Sequence, residues 1–243
     1  MAYGRDLFSF ALPDTTWPMK APEILCVDKT LAVRFAAEQA VLSWSLTRPG
    51  FVRADAVAWL EVSETDLPIG VDPAALLSDR LTAAGYGDAV QLMTSRDVKK
   101  HHQAVGESGE ATGFCLATVG LANAGRVGAD TPQSGRVGTI NLIAHVDQPL
   151  DEAGLIEALS IAAEARTAAV IDLGWTRDGL VVTGTGTDCI AVACPVADRR
   201  QTYAGLHTDV GRAIGGAVYD AVLAGGREWV NEKTDGRQGS KRR

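Results

Sequence analysis

Short apolar runs separated by polar turns dominate the chain and predict a sheet-rich fold. The runs share a high content of β-branched, apolar and aromatic residues, which is typical of β-strands. Predicted strands cover residues 7–12, 23–27, 30–35, 40–46, 55–62, 89–93, 111–119, 137–146 and 190–193. Asp28-Lys29 separates two of these runs by two polar residues, so we expect a tight hairpin there.

Three longer segments have apolar residues three and four positions apart, which predicts helices. They cover residues 72–85, 151–173 and 208–224, and a shorter exposed helix is predicted over 94–102. Asp72 and the proline after it are typical of a helix start. Arg166 falls in the middle of an apolar face of the second helix, and an unpaired buried charge is very costly. We therefore expect an acidic partner for Arg166 or a polar cavity around it.

The order of these elements predicts an α+β fold. Strands predominate, three long helices are inserted among them, and there is no regular alternation of strand and helix. This pattern favours a single layered domain with a mixed, largely antiparallel sheet. We expect that domain to cover residues 1–231 and residues 232–243 to form a disordered polar tail.

Composition limits the classes of function. Hydrophobic residues make up 46% of the chain and charged residues 22%, and the net charge is −7. An acidic chain with no basic cluster outside its tail does not predict nucleic-acid binding. No apolar run approaches the roughly 18 residues of a membrane helix, and no signal peptide is recognised. Four isolated cysteines are predicted to be small buried side chains, and we expect a cytoplasmic protein.

The densest set of reactive side chains lies in Thr183-Gly-Thr-Gly-Thr-Asp188. A dinucleotide-binding loop is disfavoured because the third glycine is absent and the next segment resembles a strand rather than a helix. Two interpretations stay open. The segment is either a hairpin turn whose glycines adopt positive φ, or a loop that approaches a ligand closely and presents hydroxyls and a carboxylate to it.

Other polar residues are candidates for the same chemistry. His207 precedes the third helix, whose cap is Thr208 or Asp209, and a histidine there suits a general base. Asn123 lies in a second glycine-rich loop and suits either an oxyanion donor or a simple turn. His145, inside an apolar strand, is predicted to be structural. The pair His101-His102 is predicted to lie on a solvated face rather than to bind a metal.

Several segments together resemble the adenosylcobinamide amidohydrolase family, the archaeal-type corrinoid salvage enzymes. Order and spacing agree over roughly Met93 to Leu223. The matching segments are Gly120-Leu-Ala-Asn-Ala-Gly-Arg-Val-Gly128, Asn141-Leu-Ile leading to Leu150, Glu164-Ala-Arg-Thr-Ala168, Thr183-Gly-Thr-Gly-Thr-Asp188 and Tyr203-Ala-Gly-Leu-His-Thr-Asp-Val-Gly211 with Ile214-Gly215.

The resemblance implies hydrolysis of the amide that joins the aminopropanol arm to the corrin ring. It implies no catalytic metal or cofactor, because the cobalt belongs to the adenosylated corrinoid substrate. Asp188 or His207 would activate water or the hydroxyl of Thr185 or Thr187. The expected substrate-binding and orienting residues are Asn123, Thr183, Gly184, Gly186, Glu164, Arg166 and Thr208.

The N-terminal part departs from the family pattern. Where relatives tend to have Leu-Ser-Ser followed by an Asn-Gly-Gly turn, this chain has the segment 42–50, Leu-Ser-Trp-Ser-Leu-Thr-Arg-Pro-Gly. This departure leaves two alternatives open, a corrinoid-binding protein without turnover and an amidohydrolase that acts on a related corrinoid. A hydrolase that cuts its own chain before a threonine of the 183–187 loop is a third. Gly211 and Gly215 predict close approach of another backbone, from this chain or from a homo-oligomer.

Overall fold

The computed structural model describes residues 21–130 and 137–240. The strand expected at 7–12 lies outside these ranges. The helices are α1 (Pro73–Ala83), α2 (Glu152–Asp172) and α3 (Asp209–Ser240), with a 3-10 turn at Glu64–Asp66. The strands are β1 (Glu23–Val27), β2 (Thr30–Ser43), β3 (Gly50–Glu61), β4 (Val90–Thr94), β5 (His101–Ser108), β6 (Ala111–Val119), β7 (Ala124–Gly125), β8 (Ile140–Val146), β9 (Thr176–Arg177), β10 (Leu180–Val181), β11 (Gly184–Thr185) and β12 (Cys189–Pro195).

The main sheet is mixed and largely antiparallel, as the sequence predicts. Its order is β4-β3-β2-β12-β8-β6-β5, and β1 pairs with β2 outside this path. Only the β3–β4 and β8–β12 pairs are parallel among its pairings. The two-residue turn of the β1–β2 hairpin has Asp28 at φ 50°, a value that aspartate adopts more readily than most residues. The α+β class is therefore confirmed.

Both faces of the sheet are buried, and β12 shows how. Ile190, Val192 and Cys194 pack into the core beneath α2 and α3, whereas Ala191 and Ala193 face a second core on the opposite side. The two faces alternate because successive strand side chains point in opposite directions. A third group of apolar residues packs beneath α1.

The sheet is strongly curled around the second core. The side-chain amide of Asn141 on β8 donates a hydrogen bond to the carbonyl oxygen of Met93 on β4 at 2.6 Å. Three strands separate β4 from β8 in the sheet order, so only curvature brings them together. The curl places the 137–141 segment next to the end of β4.

Small residues let α3 approach the sheet and the 204–205 backbone. A Cβ at Gly113 of β6 would lie 2.6 Å from the carbonyl carbon of Ala213 in α3. At Gly211 a Cβ would lie 2.6 Å from the carbonyl oxygen of Ala204, whereas Gly215 faces the side chain of Ile161. The expected close backbone approach is thus confirmed at Gly211, within this chain, and the contact at Gly215 is with a side chain.

Several boundaries differ from the sequence prediction; β3, for example, begins at Gly50 rather than at residue 55. Residues 94–102 are not a helix: Thr94 ends β4, residues 95–100 form a turn, and β5 begins at His101. Buried Arg96 of this turn is drawn to Glu232 of α3 at 2.6 Å. The two strands predicted at 30–35 and 40–46 are one strand, β2, with a register shift between Arg34 and Gln39. α3 continues past residue 224 to Ser240. The division of the chain at residue 231 stays a prediction.

Two cysteines, Cys115 and Cys194, are fully buried as expected, whereas Cys26 and Cys189 are half-buried. The described helices include none that is both long enough and apolar enough to span a bilayer.

Candidate active site

The two glycine-rich loops meet in a short antiparallel ribbon. Gly184 of β11 pairs with Gly125 of β7, and Thr185 pairs with Ala124. The amide of Thr183 donates to the carbonyl of Gly125 at 2.8 Å, and its hydroxyl accepts from the amide of Val127 at 2.8 Å. The 183–188 segment is therefore tied to the other loop, and the simple hairpin interpretation is wrong because β11 pairs with β7.

Asp188 is the centre of this arrangement. Its side chain is only 7% exposed, and it accepts hydrogen bonds from the amides of Ile140 at 3.0 Å and Thr185 at 3.1 Å. The hydroxyl of Thr185 and the guanidinium of Arg166 also donate to this carboxylate. The expectation of an acidic partner for Arg166 is confirmed. Four donors satisfy a carboxylate that would otherwise be costly to bury.

Arg166 reaches the loop from α2. Burial lowers the pKa of its guanidinium, and its side chain is 15% exposed. The charged form is stabilised by Asp188, so the pair exchanges hydration for a charge-assisted hydrogen bond. Together they fasten the helix to the turn that carries Thr185.

The glycines of the motif have different structural roles. A Cβ at Gly184 would collide with the Arg166 guanidinium and would lie 2.8 Å from a carboxylate oxygen of Asp188. At Gly186 a Cβ would meet no described heavy atom within 4 Å, and the residue is exposed. Gly184 therefore makes room for the ion pair, while Gly186 leaves the turn open to an approaching ligand.

Thr187 and Asn123 form a second group beside the turn. The hydroxyl of Thr187 donates its proton to the carbonyl of Gly138 at 2.8 Å, so it accepts from the Asn123 amide nitrogen at 3.4 Å. The other amide atom, Asn123 Oδ1, is buried and has no hydrogen-bond partner within the described ranges. The amide nitrogen carries a second N–H that the contact with Thr187 does not use, so Asn123 aligns the loop and its oxyanion role stays a prediction.

Two contributors were missed by the sequence argument. Thr139 donates from its hydroxyl to the carbonyl of Thr187 at 2.7 Å. The indole nitrogen of Trp44 donates to the carbonyl of Asp188 at 2.8 Å. Thr139 lies in the segment 137–146 that was predicted as one strand, so the sequence did not single it out; in the structure it precedes β8. Trp44 lies in the 42–50 segment that departs from the family pattern, so this departure falls at the site.

The structure does not bring His207 and Thr208 to this loop. The Thr208 hydroxyl caps α3 by accepting from the amide of Gly211 at 2.9 Å, and Asp209 accepts from Ser108 at 3.0 Å at the β5–β6 turn. That turn lies at the end of the sheet opposite Asp188. Since β12 spans seven residues between the two ends, His207 and Thr208 lie about 20 Å from Asp188.

Glu164 is also outside the loop. Its side chain is on an exposed position of α2 and accepts from the hydroxyl of Ser160 at 3.3 Å. Residues 164 and 166 are two apart on a helix, and such residues do not share a face. The structure therefore brings together Asn123, Arg166, Thr183, Gly184, Thr185, Gly186, Thr187 and Asp188, and leaves out Glu164, His207 and Thr208.

Two titratable groups of the sheet, Cys189 and His145, are held neutral. Burial raises the pKa of the Cys189 thiol to about 12, so it is not a thiolate at neutral pH. Burial lowers the pKa of His145 to about 4; its ring stacks on Phe35 and its Nε2 lies 3.1 Å from Gln39 Oε1. The expectation of a structural histidine is confirmed. In the described part of the chain no group of three or more His, Cys, Asp or Glu side chains is placed to hold a metal ion.

Solved structures give only weak likenesses. The PH0078 protein from Pyrococcus horikoshii OT3 is 12% identical, with 84% of this chain and 82% of that chain covered and a TM-score of 0.41. A Burkholderia sp. beta-aminopeptidase is 13% identical, with 81% and 78% covered and a TM-score of 0.44. These scores are too low to carry an argument about mechanism.

Sequence comparison is more specific. A protein named adenosylcobinamide amidohydrolase from Halobacterium salinarum is 32% identical over 158 residues, which cover 61% of this chain and 64% of that protein. The matched region thus spans less than two thirds of this relative. The family model described as adenosylcobinamide amidohydrolase matches residues 17–234, a range that includes both glycine-rich loops, α2 and nearly all of α3. The chain belongs to the adenosylcobinamide amidohydrolase family.

Proposed function

We propose that this protein hydrolyses the amide between the aminopropanol arm and the corrin ring of adenosylcobinamide. The products are adenosylcobyric acid and 1-aminopropan-2-ol, and the reaction returns a scavenged precursor to cobalamin synthesis in the cytoplasm. Membership of the family supports the substrate class. The observation that carries the chemistry is the Thr185 hydroxyl, hydrogen-bonded to the buried carboxylate of Asp188 on a turn with an open side.

Thr185 is the best placed of the three threonines to act as a nucleophile. The hydroxyl of Thr183 is buried and occupied by the 125–127 backbone, and the proton of Thr187 goes to a backbone carbonyl. The hydroxyl of Thr185 alone among them donates to a carboxylate, and its residue is half-buried beside exposed Gly186. A hydroxyl paired with an oriented base is the arrangement that nucleophilic catalysis needs.

The mechanism follows from that pairing. The oxygen of Thr185 attacks the amide carbon while its proton passes to the Asp188 carboxylate. The C–N bond then breaks, and the leaving nitrogen takes that proton as aminopropanol departs. Water hydrolyses the ester on Thr185, which restores the hydroxyl and releases the carboxylic acid. Backbone N–H groups of the glycine-rich turn are suited to stabilising the negative oxygen in both steps. No step requires a cofactor.

Arg166 acts through Asp188 rather than on the substrate. Its guanidinium fixes the orientation of the carboxylate that receives the proton of Thr185. This is a positioning role, and it accounts for a buried arginine on an otherwise apolar helix face.

The test is incubation of the purified protein with adenosylcobinamide, followed by mass spectrometry of both products. We expect adenosylcobyric acid and 1-aminopropan-2-ol in equal amounts without added metal or nucleotide. Retention of the corrinoid without release of aminopropanol would instead support the binding protein considered from the sequence. Absence of both binding and turnover would overturn the proposal.

A further inference from the structure

Trp44 is a large aromatic residue held in an exposed position beside the candidate nucleophile. Its side chain is 46% exposed, yet its only polar atom, the indole nitrogen, is already used in the 2.8 Å hydrogen bond to the carbonyl of Asp188. The ring is thus fastened to the residue that ends the candidate catalytic turn.

This fastening leaves an apolar ring surface in water next to the turn. Gly186 and Thr187, which precede Asp188, are themselves exposed. A tryptophan whose nitrogen is satisfied presents only its conjugated ring to solvent, and the hydrogen bond limits rotation of that ring. Burial in the core does not account for the residue, because half of the side chain lies outside it.

From this geometry we infer that Trp44 is a stacking platform that binds a flat conjugated ring of the substrate and positions the amide at Thr185. The inference rests on the proposed function and names the part of the site that recognises the large end of the molecule. Aromatic side chains bind conjugated rings by stacking, with an affinity that is largely insensitive to polar substituents. Contacts with such a platform are remote from the reacting bond, and they orient a bulky substrate for the reaction.

The proposed substrate offers two rings of this chemistry, the corrin macrocycle and the adenine of its adenosyl ligand. Both are conjugated rings, so stacking alone does not distinguish them. Binding of two probes does: adenosylcobinamide carries both rings, and methylcobinamide carries the same corrin with a methyl group in place of the adenosyl ligand. If Trp44→Ala weakens the binding of both probes equally, Trp44 stacks on the corrin. If it weakens the binding of adenosylcobinamide alone, Trp44 stacks on the adenine.

The experiment compares Trp44→Ala and Trp44→Phe with the unmodified protein. The phenylalanine variant keeps a ring but loses the N–H that bonds to Asp188, so it separates stacking from attachment of the turn. Tyr203→Ala is the matched control, because Tyr203 is an exposed aromatic in the segment that leads to α3, at the opposite end of the sheet. Corrinoid binding is measured by equilibrium dialysis with visible absorbance, and KM and kcat are measured with adenosylcobinamide.

We expect Trp44→Ala to raise KM and the dissociation constant by roughly 5-fold or more, with kcat within about 3-fold of the unmodified protein. Trp44→Phe is expected to recover most of this affinity, and Tyr203→Ala to match the unmodified protein. Unchanged binding in Trp44→Ala, or equal impairment in both Trp44 variants, would overturn the inference while leaving the hydrolysis proposal intact. If the unmodified protein binds neither corrinoid, both proposals fail.

Discussion

The guanidinium of Arg166 is ion-paired with the carboxylate of Asp188, and this contact joins α2 to the turn that carries Thr185. The two residues are 22 positions apart in the chain, and both side chains are largely buried. The carboxylate also accepts from the amide of Ile140 at the start of β8. One charged contact therefore fixes a helix, a strand and the glycine-rich turn relative to one another.

Loss of the arginine is expected to destabilise the protein strongly. Arg166→Met leaves Asp188 buried without its cation, and breaking one partner of a buried pair costs about 3–5 kcal/mol. The free energy of unfolding in urea checks this value. Hydrolysis of adenosylcobinamide should fall as well, since the carboxylate that orients Thr185 loses its own anchor.

Arg53→Met is the matched control. Arg53 pairs with Glu38 at 3.5 Å, and both side chains are more than half exposed. Exposed pairs contribute at most about 1 kcal/mol, so the unfolding free energy should change little. Equal stability changes in the two variants would show that the Arg166–Asp188 pair is not the structural link described.

The two glycines of the turn should respond differently to alanine. In Gly184→Ala the added methyl displaces the Arg166 guanidinium, so turnover and stability should both fall. In Gly186→Ala the methyl points into open space, and φ at this position is not in the left-handed region, so the fold should be retained. Thermal unfolding of the two variants gives the comparison. A larger loss in Gly186→Ala would contradict the packing at Gly184.

Removal of His207 should leave catalysis nearly unchanged. The residue lies at the α3 end of the sheet, about 20 Å from Asp188 by the length of β12. We expect kcat/KM of His207→Ala to stay within about 2-fold of the unmodified protein. A fall of roughly 100-fold or more in a folded variant would be typical of a lost general base and would contradict this placement.

The chain is expected to stay uncut. Thr185 is proposed to act as an internal nucleophile, and the residues before it are held in the β7–β11 ribbon. Intact mass spectrometry should give one species of about 25.5 kDa. Two fragments that separate immediately before Thr185 would favour the self-cleaving alternative and a terminal amine as the base.

Stability should fall as the pH drops from about 6.5 to 4. Burial lowers the pKa of His145 from 6.5 to about 4, so in this range the unfolded chain binds a proton that the folded protein does not. The stabilisation is therefore fully present above pH 6.5 and is lost as pH falls towards 4. The shift corresponds to about 3 kcal/mol as an upper value.

Unfolding in urea at pH 7 and pH 4.5 measures this effect. His145→Gln should lose part of the pH dependence, whereas His207→Ala, which removes an exposed histidine, should keep it. A pH dependence that is the same in His145→Gln and in the unmodified protein would show that carboxylates, not His145, control acid stability.

The fold class and most elements could be predicted from the sequence, because the spacing of apolar residues within a segment indicates which face of that segment is buried. The α2 boundaries and the Asp72 cap of α1, whose carboxylate accepts from the amide of Ala74 at 2.9 Å, were predicted for this reason. The 94–102 segment was mispredicted because its structure depends on Arg96 and on acids of α3 more than 130 positions away. A local pattern contains no such information.

The site was predicted only where its residues are adjacent in sequence. The 183–188 motif was recognised from its composition, and the need of Arg166 for an acid followed from the cost of burying a charge. The pairing of the two loops through Gly125 and Gly184 depends on the sheet topology. The same topology separates His207 from Asp188, and no spacing along the chain shows whether two residues lie at the same end of a strand.

The most direct test of the central claim is product release by the Thr185 variants. Purified unmodified protein, Thr185→Ser and Thr185→Ala are incubated with adenosylcobinamide, and 1-aminopropan-2-ol is quantified by mass spectrometry over time. The account predicts release by the unmodified protein, retained activity in the serine variant, and a loss of roughly 1,000-fold or more in a folded alanine variant. Release by Thr185→Ala at the rate of the unmodified protein would contradict it.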